Sequence, residues 1–240
     1  MDKQFSHRIF SPEVTWEKIE PYAKLIGVTR MAHIAGLDRI GVPVVAAIRP
    51  RSSTIVTASG KGLTWPAARV SGLMEALEVY CAEESTIPFI TAPYNALQTP
   101  VIPLDKLPYR KNSLFHPDLP EKWTLGKDLI SQQTVAAPLL SVTLNYLTSK
   151  STSAPSFQTS SNGLASGNVY LEAVLSALYE VIERDGVSCH YFSAATTSFS
   201  SPNVQLETIR YPAVQELLSR LQHKNIGVLL SDCTVNTDVP

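Results

Sequence analysis

The spacing of apolar and polar positions divides this chain into a repeated series of elements. Residues 12–25 are expected to form a leading helix, with Ser11 as its cap and Pro12 in the first turn, where a missing N–H is harmless. Pro43–Ile48 and Thr54–Ala58 read as two strands joined by the polar turn Arg49–Ser53. A helix follows, capped near Thr64 with Pro66 in its first turn. Seven prolines between Pro88 and Pro120 make the next stretch too proline-rich for regular structure, so it reads as a connection.

The pattern then restarts. Gly36-x-Asp38-x-Ile40 ahead of Pro43 is echoed by Gly126-x-Asp128-x-Ile130 ahead of Pro138. Strand-like residues Leu139–Leu147, a Ser/Thr-rich loop at 148–153 and a strand ending at Thr159 lead into another helix. A third start follows, with helical spacing over Val214–Leu221, a buried strand at Ile226–Leu230, and Asp232 to Pro240 resembling the approach to Pro43. The chain stops where the first two copies enter their strands, so it is expected to be a fragment or to have lost its third unit. The modules are residues 1–87, a connection over 88–122, a second module over 123–210, and an incomplete third over 211–240.

The two helices repeat more than their apolar positions. At an offset of 105 residues Gly62 pairs with Gly167, Ala68 with Ala173, Ser71 with Ser176, Leu73 with Leu178, Glu75 with Glu180 and Glu78 with Glu183. On a helix Ser71, Glu75 and Glu78 fall within a sector roughly 60° wide, and Glu172, Ser176, Glu180 and Glu183 within about 80°. These could be the wet faces of amphipathic helices, but the rest of each helix is nearly free of charge, which predicts burial. Buried carboxylates on one stripe repel each other and need cations or donors. Hard oxygen ligands in that arrangement suit Mg²⁺ better than zinc.

Composition changes this picture little. The 240 residues suffice for one large domain or two small ones, and a net charge of −1 with 17% charged residues gives no electrostatic reason for a nucleic-acid or membrane partner. The start lacks an apolar signal core, and no apolar stretch is long enough to span a bilayer. Cys81, Cys189 and Cys233 are isolated, which fits a reducing cytoplasm and small buried hydrophobes.

Other candidate residues flank the helices. Ser59-Gly60-Lys61-Gly62 is not a Walker A loop, because Ile55 stands where glycine is needed and Gly62 where Ser or Thr is needed. Lys61 at a helix start could hold a phosphate, or could be a solvated side chain in a tight turn. Asn168 could cap the second helix or turn an amide oxygen towards a metal. Arg184 could pair with Asp185 and the helix C-terminus, or grip phosphate oxygens. The five histidines have no metal-ligand spacing.

Ser-Gly-Lys-Gly with Ser-x-x-x-Glu-x-x-Glu, and Ser-Asn-Gly-Leu-Ala-x-Gly-Asn with Glu-x-x-Glu-Arg-Asp, together resemble the YcaO family from about Gly27 onward. The stretch Gly36–Pro43 is similar to members that work beside TfuA-type partners. The resemblance implies an α+β fold of repeated strand–strand–helix modules packed around a nucleotide cleft. It implies Mg²⁺-dependent use of ATP to phosphorylate a peptide backbone amide, giving a thioamide or an azoline. Carried over by motif, Lys61, Ser71, Glu75, Glu78, Asn168, Glu180, Glu183 and Arg184 are nucleotide positions, and Glu75, Glu78, Glu172, Glu180 and Glu183 are metal positions. Glu75, Glu78, Glu180 and Glu183 are expected to converge on one site. Ala165 departs from members that carry a serine there, and the chain is shorter than the family pattern. The implied partners are a peptide or protein substrate and a TfuA-like protein; separately, the apolar segment Ile226–Leu230, left without a strand to pair with, is expected to favour association with a second copy of the chain. The alternative is a non-catalytic module of the same fold that binds a peptide or partner; a generic ATP-dependent ligase is a third reading.

Overall fold

The computed structural model describes residues 8–84, 86–144, 156–196 and 202–234. The fold is mixed α/β: two three-stranded antiparallel sheets, each a simple meander, and four α-helices among the described residues. Spatial clustering gives two compact units, Met1–Pro50 with Thr57–Leu77 and Asn162–Pro240, and Arg51–Val56 with Glu78–Ser161.

In the first unit α1 (Pro12–Leu25) begins as expected, with the Ser11 hydroxyl accepting from the Val14 amide at 3.4 Å. Strands β1 (Arg30–His33), β2 (Val44–Ile48) and β3 (Thr57–Lys61) follow, with Ala46 opposite both Ala32 and Ser59. Strand β1 has no counterpart among the expected strands; its four residues alternate too little to mark it, and pairing with β2 supplies its register. Strand β3 begins three residues later than Thr54–Ala58 suggests. The reason is Glu83, whose Oε1 accepts from the Thr54 amide and the Ser52 hydroxyl, both at 2.7 Å, and so holds residues 52–54 in a turn.

Helix α2 (Trp65–Glu84) buries Ala68, Leu73, Ala76, Val79 and Ala82, in keeping with its apolar sequence. It crosses β3 glycine on glycine. A Cβ added at Gly60 would lie 2.1 Å from both the Ala68 oxygen and the Gly72 nitrogen, so no side chain fits there without moving backbone.

In the second unit β4 (Phe89–Pro93) corrects the reading of 88–120 as irregular throughout, and β5 (Pro120–Lys127) and β6 (Thr134–Pro138) complete its sheet. Proline is tolerated because Pro93 and Pro120 face each other at the end of the β4–β5 ladder, where no ladder N–H is required. The expected strand at 139–147 is also displaced: β6 ends at Pro138 and a 3₁₀ turn, Leu139–Ser141, follows. Residues 145–147, the Ser/Thr-rich loop at 148–153 and the start of the strand expected to end at Thr159 lie outside the described residues. Trp123 is fully buried and its Nε1–H donates to the Ala92 carbonyl at 2.9 Å, while Phe157 packs against Tyr109 and Phe115.

Helices α3 (Tyr170–Thr196) and α4 (Pro212–His223) return to the first unit. Here two expectations fail. Helix α3 is apolar yet largely exposed, with only Glu172 and Gly186 buried. Residues 226–230 form no strand, and Leu229 and Leu230 are exposed; the Val204 amide reaches the Leu230 carbonyl and the Asp232 amide the Pro202 carbonyl, which makes only an isolated bridge between Asn203 and Ser231. The cysteines likewise are not core residues, since Cys81 and Cys189 are exposed and Cys233 is half-buried. Among the described residues no helix is long and apolar enough to cross a membrane.

Candidate functional site

The first motif is built by the β3–α2 crossing. Because Gly60 and Gly72 let strand and helix touch, Glu75, one turn beyond Gly72, reaches the edge of β3, and its Oε2 accepts from the Ser59 amide at 3.2 Å. Gly62 packs under the first turn of α2, where a Cβ would meet Ala67 at 2.7 Å and the Ala68 nitrogen at 2.8 Å. Its amide donates to the Pro43 carbonyl at 3.3 Å and extends the β2–β3 pairing, so it is engaged by protein and not open to a phosphate. The Thr64 hydroxyl caps α2 by accepting from the Ala67 amide at 3.4 Å. Lys61 ends β3 with its side chain exposed, Ser71 is exposed, and Glu75 and Glu78 are half-buried.

The second motif repeats this construction at the same offset. Gly167 lies under the first turn of α3, where a Cβ would meet the Ala173 nitrogen at 2.5 Å and Glu172 Cβ at 2.8 Å. The Ala68 amide bonds to the Thr64 oxygen, and the Ala173 amide bonds to the Val169 oxygen. Among the positions where the copies differ, one changes the local chemistry: Ala67 in the first is Glu172 in the second. The buried Glu172 accepts from its own helix start through the Asn168 amide, on Oε2, which is the logic of a capping box. Its Oε1 accepts from the Ile9 amide at 3.1 Å, with Arg8 Nε at 4.0 Å. Asn168 does not cap α3 with its side chain; its Oδ1 accepts from the Thr15 hydroxyl at 2.9 Å. Ile9 and Thr15 were invisible as site neighbours in the sequence, because 163 and 153 residues separate them from the groups they hold.

Further along α3, Arg184 pairs with Glu180 at 3.1 Å, one helical turn apart, and not with Asp185. This supplies the cation that a carboxylate stripe calls for. Glu183 is exposed. The structure thus joins Glu75 to the β3 edge, Asn168 to Glu172, and Glu180 to Arg184.

Among the described residues no group of three or more His, Cys, Asp and Glu stands ready to hold a metal ion. The donors of the two motifs are oxygen-only, which fits Mg²⁺. Such an ion usually takes one or two carboxylates and completes its shell with phosphate oxygens and water, so a full protein cage is not required.

Comparison with known proteins agrees with the motifs. A family model described as YcaO cyclodehydratase, ATP- and Mg²⁺-binding, matches residues 59–240. An uncharacterized protein of Mycobacterium tuberculosis is 36% identical over 198 residues, covering 82% of this chain and 45% of that protein. A protein of Rhizobium leguminosarum bv. trifolii from the tfuA 3′ region is 30% identical, covering 98% of this chain and 56% of that one. The chain therefore spans about half the length of these relatives. Among solved structures, YcaO from Methanopyrus kandleri bound with AMPPCP and Mg²⁺ aligns with a TM-score of 0.68 at 24% identity, over 90% of this chain and 52% of that one. A heterocyclase in complex with substrate and cofactor aligns with a TM-score of 0.81 at 21% identity, over 97% of this chain and 35% of that one. At those identities the structural likeness speaks for the fold. The family match begins at Ser59 and takes in both acidic helices, and on that ground this chain belongs to the YcaO family, whose members bind ATP and Mg²⁺.

Proposed function

We propose that this chain binds ATP with Mg²⁺ and phosphorylates a peptide backbone amide during formation of a thioamide or an azoline. The observation that carries the reading is the family match over residues 59–240, which contains both copies of the acidic motif. In this reading Glu75, Glu78, Glu180 and Glu183 are the candidate metal carboxylates, one or two of which would serve a given Mg²⁺, Asn168 adds an amide oxygen, and Lys61, Ser71 and Arg184 contact the nucleotide. Glu172 already accepts two backbone N–H bonds, so it serves the metal chiefly by fixing the start of α3 that carries Asn168. Bound Mg²⁺ neutralises charge on the phosphate oxygens as the phosphoryl group moves.

The chemistry explains why a nucleotide is needed. A Cys, Ser or Thr side chain, or a sulfide donor, adds to the amide carbon and leaves an oxygen that departs poorly. Phosphorylation of that oxygen turns it into phosphate, which departs well. Positive side chains beside the phosphates and a water-poor site are what the protein must add. A TfuA-like partner is supported by the relative from the tfuA 3′ region and by the Gly36–Pro43 stretch. A cytoplasmic site of action agrees with the unpaired cysteines.

Calorimetric titration with a non-hydrolysable ATP analogue and Mg²⁺, followed by peptide-dependent phosphate release, tests the reading. Saturable, Mg²⁺-dependent binding is expected. Peptide binding by a folded chain that takes no Mg-nucleotide would replace the enzymatic reading with that of a non-catalytic peptide-binding module.

A further inference from the structure

The family match starts at Ser59, so α1 lies outside it, yet α1 contacts the entry of both acidic helices. The Arg69 guanidinium, in the first turns of α2, lies 3.8 Å from the Trp16 ring centre. Thr15, buried next to Trp16, places its Oγ1 2.9 Å from Asn168 Oδ1 and 3.0 Å from the Ser11 carbonyl. From these contacts we infer that Thr15 is a positioning residue for Asn168, setting which end of its side-chain amide faces the nucleotide site. The inference rests on the reading of Asn168 as a site residue given above.

A buried helical threonine needs no more than the carbonyl four residues back to satisfy its hydroxyl. Thr15 has that carbonyl in Ser11, so the bond to Asn168 is not required by burial. It does something for the asparagine instead. The two ends of an Asn amide are nearly equal in size, and hydrogen-bond partners decide which points where. A hydroxyl donor at Thr15 keeps Oδ1 on the α1 side and directs the NH₂ group away from it. Oδ1 has two lone pairs, and one stays open for a cation or a ligand donor. The neighbouring bonds work the same way. Glu172 fixes the Asn168 backbone through its amide and ties it to residue 9, so both ends of Asn168 are held from the N-terminal segment.

Thr15→Val keeps the shape of the side chain and removes only the donor; Thr15→Ser keeps the donor. Affinity for a non-hydrolysable ATP analogue is measured by calorimetry with Mg²⁺ and with EDTA, alongside thermal melting. Thr15→Val is expected to lower affinity in Mg²⁺ about ten- to a hundredfold, the usual effect of losing a group that orients a ligand-binding side chain. In EDTA it should change little, and Thr15→Ser should restore binding. On an Asn168→Ala background Thr15→Val should cause no further loss, because the group it acts through is gone. If the valine variant does not fold, Thr15→Ala, which removes the donor without adding a methyl group against Asn168, takes its place. Wild-type affinity in the donor-less variant, or a full additional loss in the double variant, would overturn the role of Thr15 while leaving the nucleotide site standing. A wild-type chain that binds no Mg-nucleotide would overturn both.

Discussion

Glu75 and Glu180 hold the same position in the repeat and meet different partners, a backbone amide in one copy and a guanidinium in the other. The Glu180–Arg184 pair is a single-turn helical pair with an exposed arginine, a class worth only about 0.3–0.5 kcal/mol. Glu180→Gln is therefore expected to leave the melting temperature almost unchanged while weakening Mg-nucleotide binding. Calorimetry on the folded variant decides this, and unchanged affinity would return Glu180 to a surface role. Gly60 predicts the opposite behaviour. Its missing Cβ would collide with backbone atoms of Ala68 and Gly72, which cannot rotate aside. Gly60→Ala is expected to cost about 3 kcal/mol, at the upper end of overpacking effects, as read from chemical denaturation. The paired carboxylates were legible in the sequence because their spacing matches a helix. The glycine contact was not, since nothing in a sequence says which two glycines will touch.

At the scale of elements, both motif helices start at equivalent residues, Trp65 and Tyr170, each above a glycine that tolerates no side chain. Apolar periodicity located them, and it located α1 and α4 as well. It failed for burial: α2 and α3 are comparably apolar, yet α2 is packed and α3 is not, because burial depends on what tertiary neighbours supply. It also missed β4, where prolines at the ladder end disguise a strand. The Asp-containing echoes proved to be one recurring turn. Asp38 accepts from the Ile40 and Gly41 amides, Asp128 from Ile130 and Ser131, and Asp232 from Thr234. The Ser131 backbone amide, with help from its hydroxyl and the Ile130 amide, holds the Asp128 carboxyl below its ordinary value of 3.8. A folded value lower than the unfolded one means that the turn is favoured while Asp128 is ionised. That support is lost as pH falls through the lowered value. An NMR titration should place the Asp128 midpoint under 3.8, with the Ser131 amide shift following the same curve. A midpoint at or above that value would show that the turn does not favour the carboxylate.

Across the whole molecule, repetition in sequence and clustering in space divide the chain along different lines. The modules 1–87, 88–122, 123–210 and 211–240 follow the repeat. The compact units are each discontinuous, and one of them takes in both Thr57–Leu77 and Asn162–Pro240, the segments that begin α2 and contain α3. No sequence period could reveal that pairing, since it is made by contacts between distant segments. It leaves α3 with an apolar face turned to solvent: Leu171 is 75% exposed, Leu175 43% and Leu178 52%, spaced so that they share one side of the helix. A contiguous apolar stripe of this kind on a chain of low net charge favours association with a like surface. The 240-residue chain is therefore expected to self-associate through α3 in a concentration-dependent manner. Sedimentation over a range of concentrations should show species larger than the 26.2 kDa monomer. The double variant Leu171→Lys, Leu178→Lys should shift the distribution to monomer, because two charges on the stripe repel their copies across an interface. A wild-type chain that stays monomeric at high concentration would show that this face is tolerated by solvent as it stands.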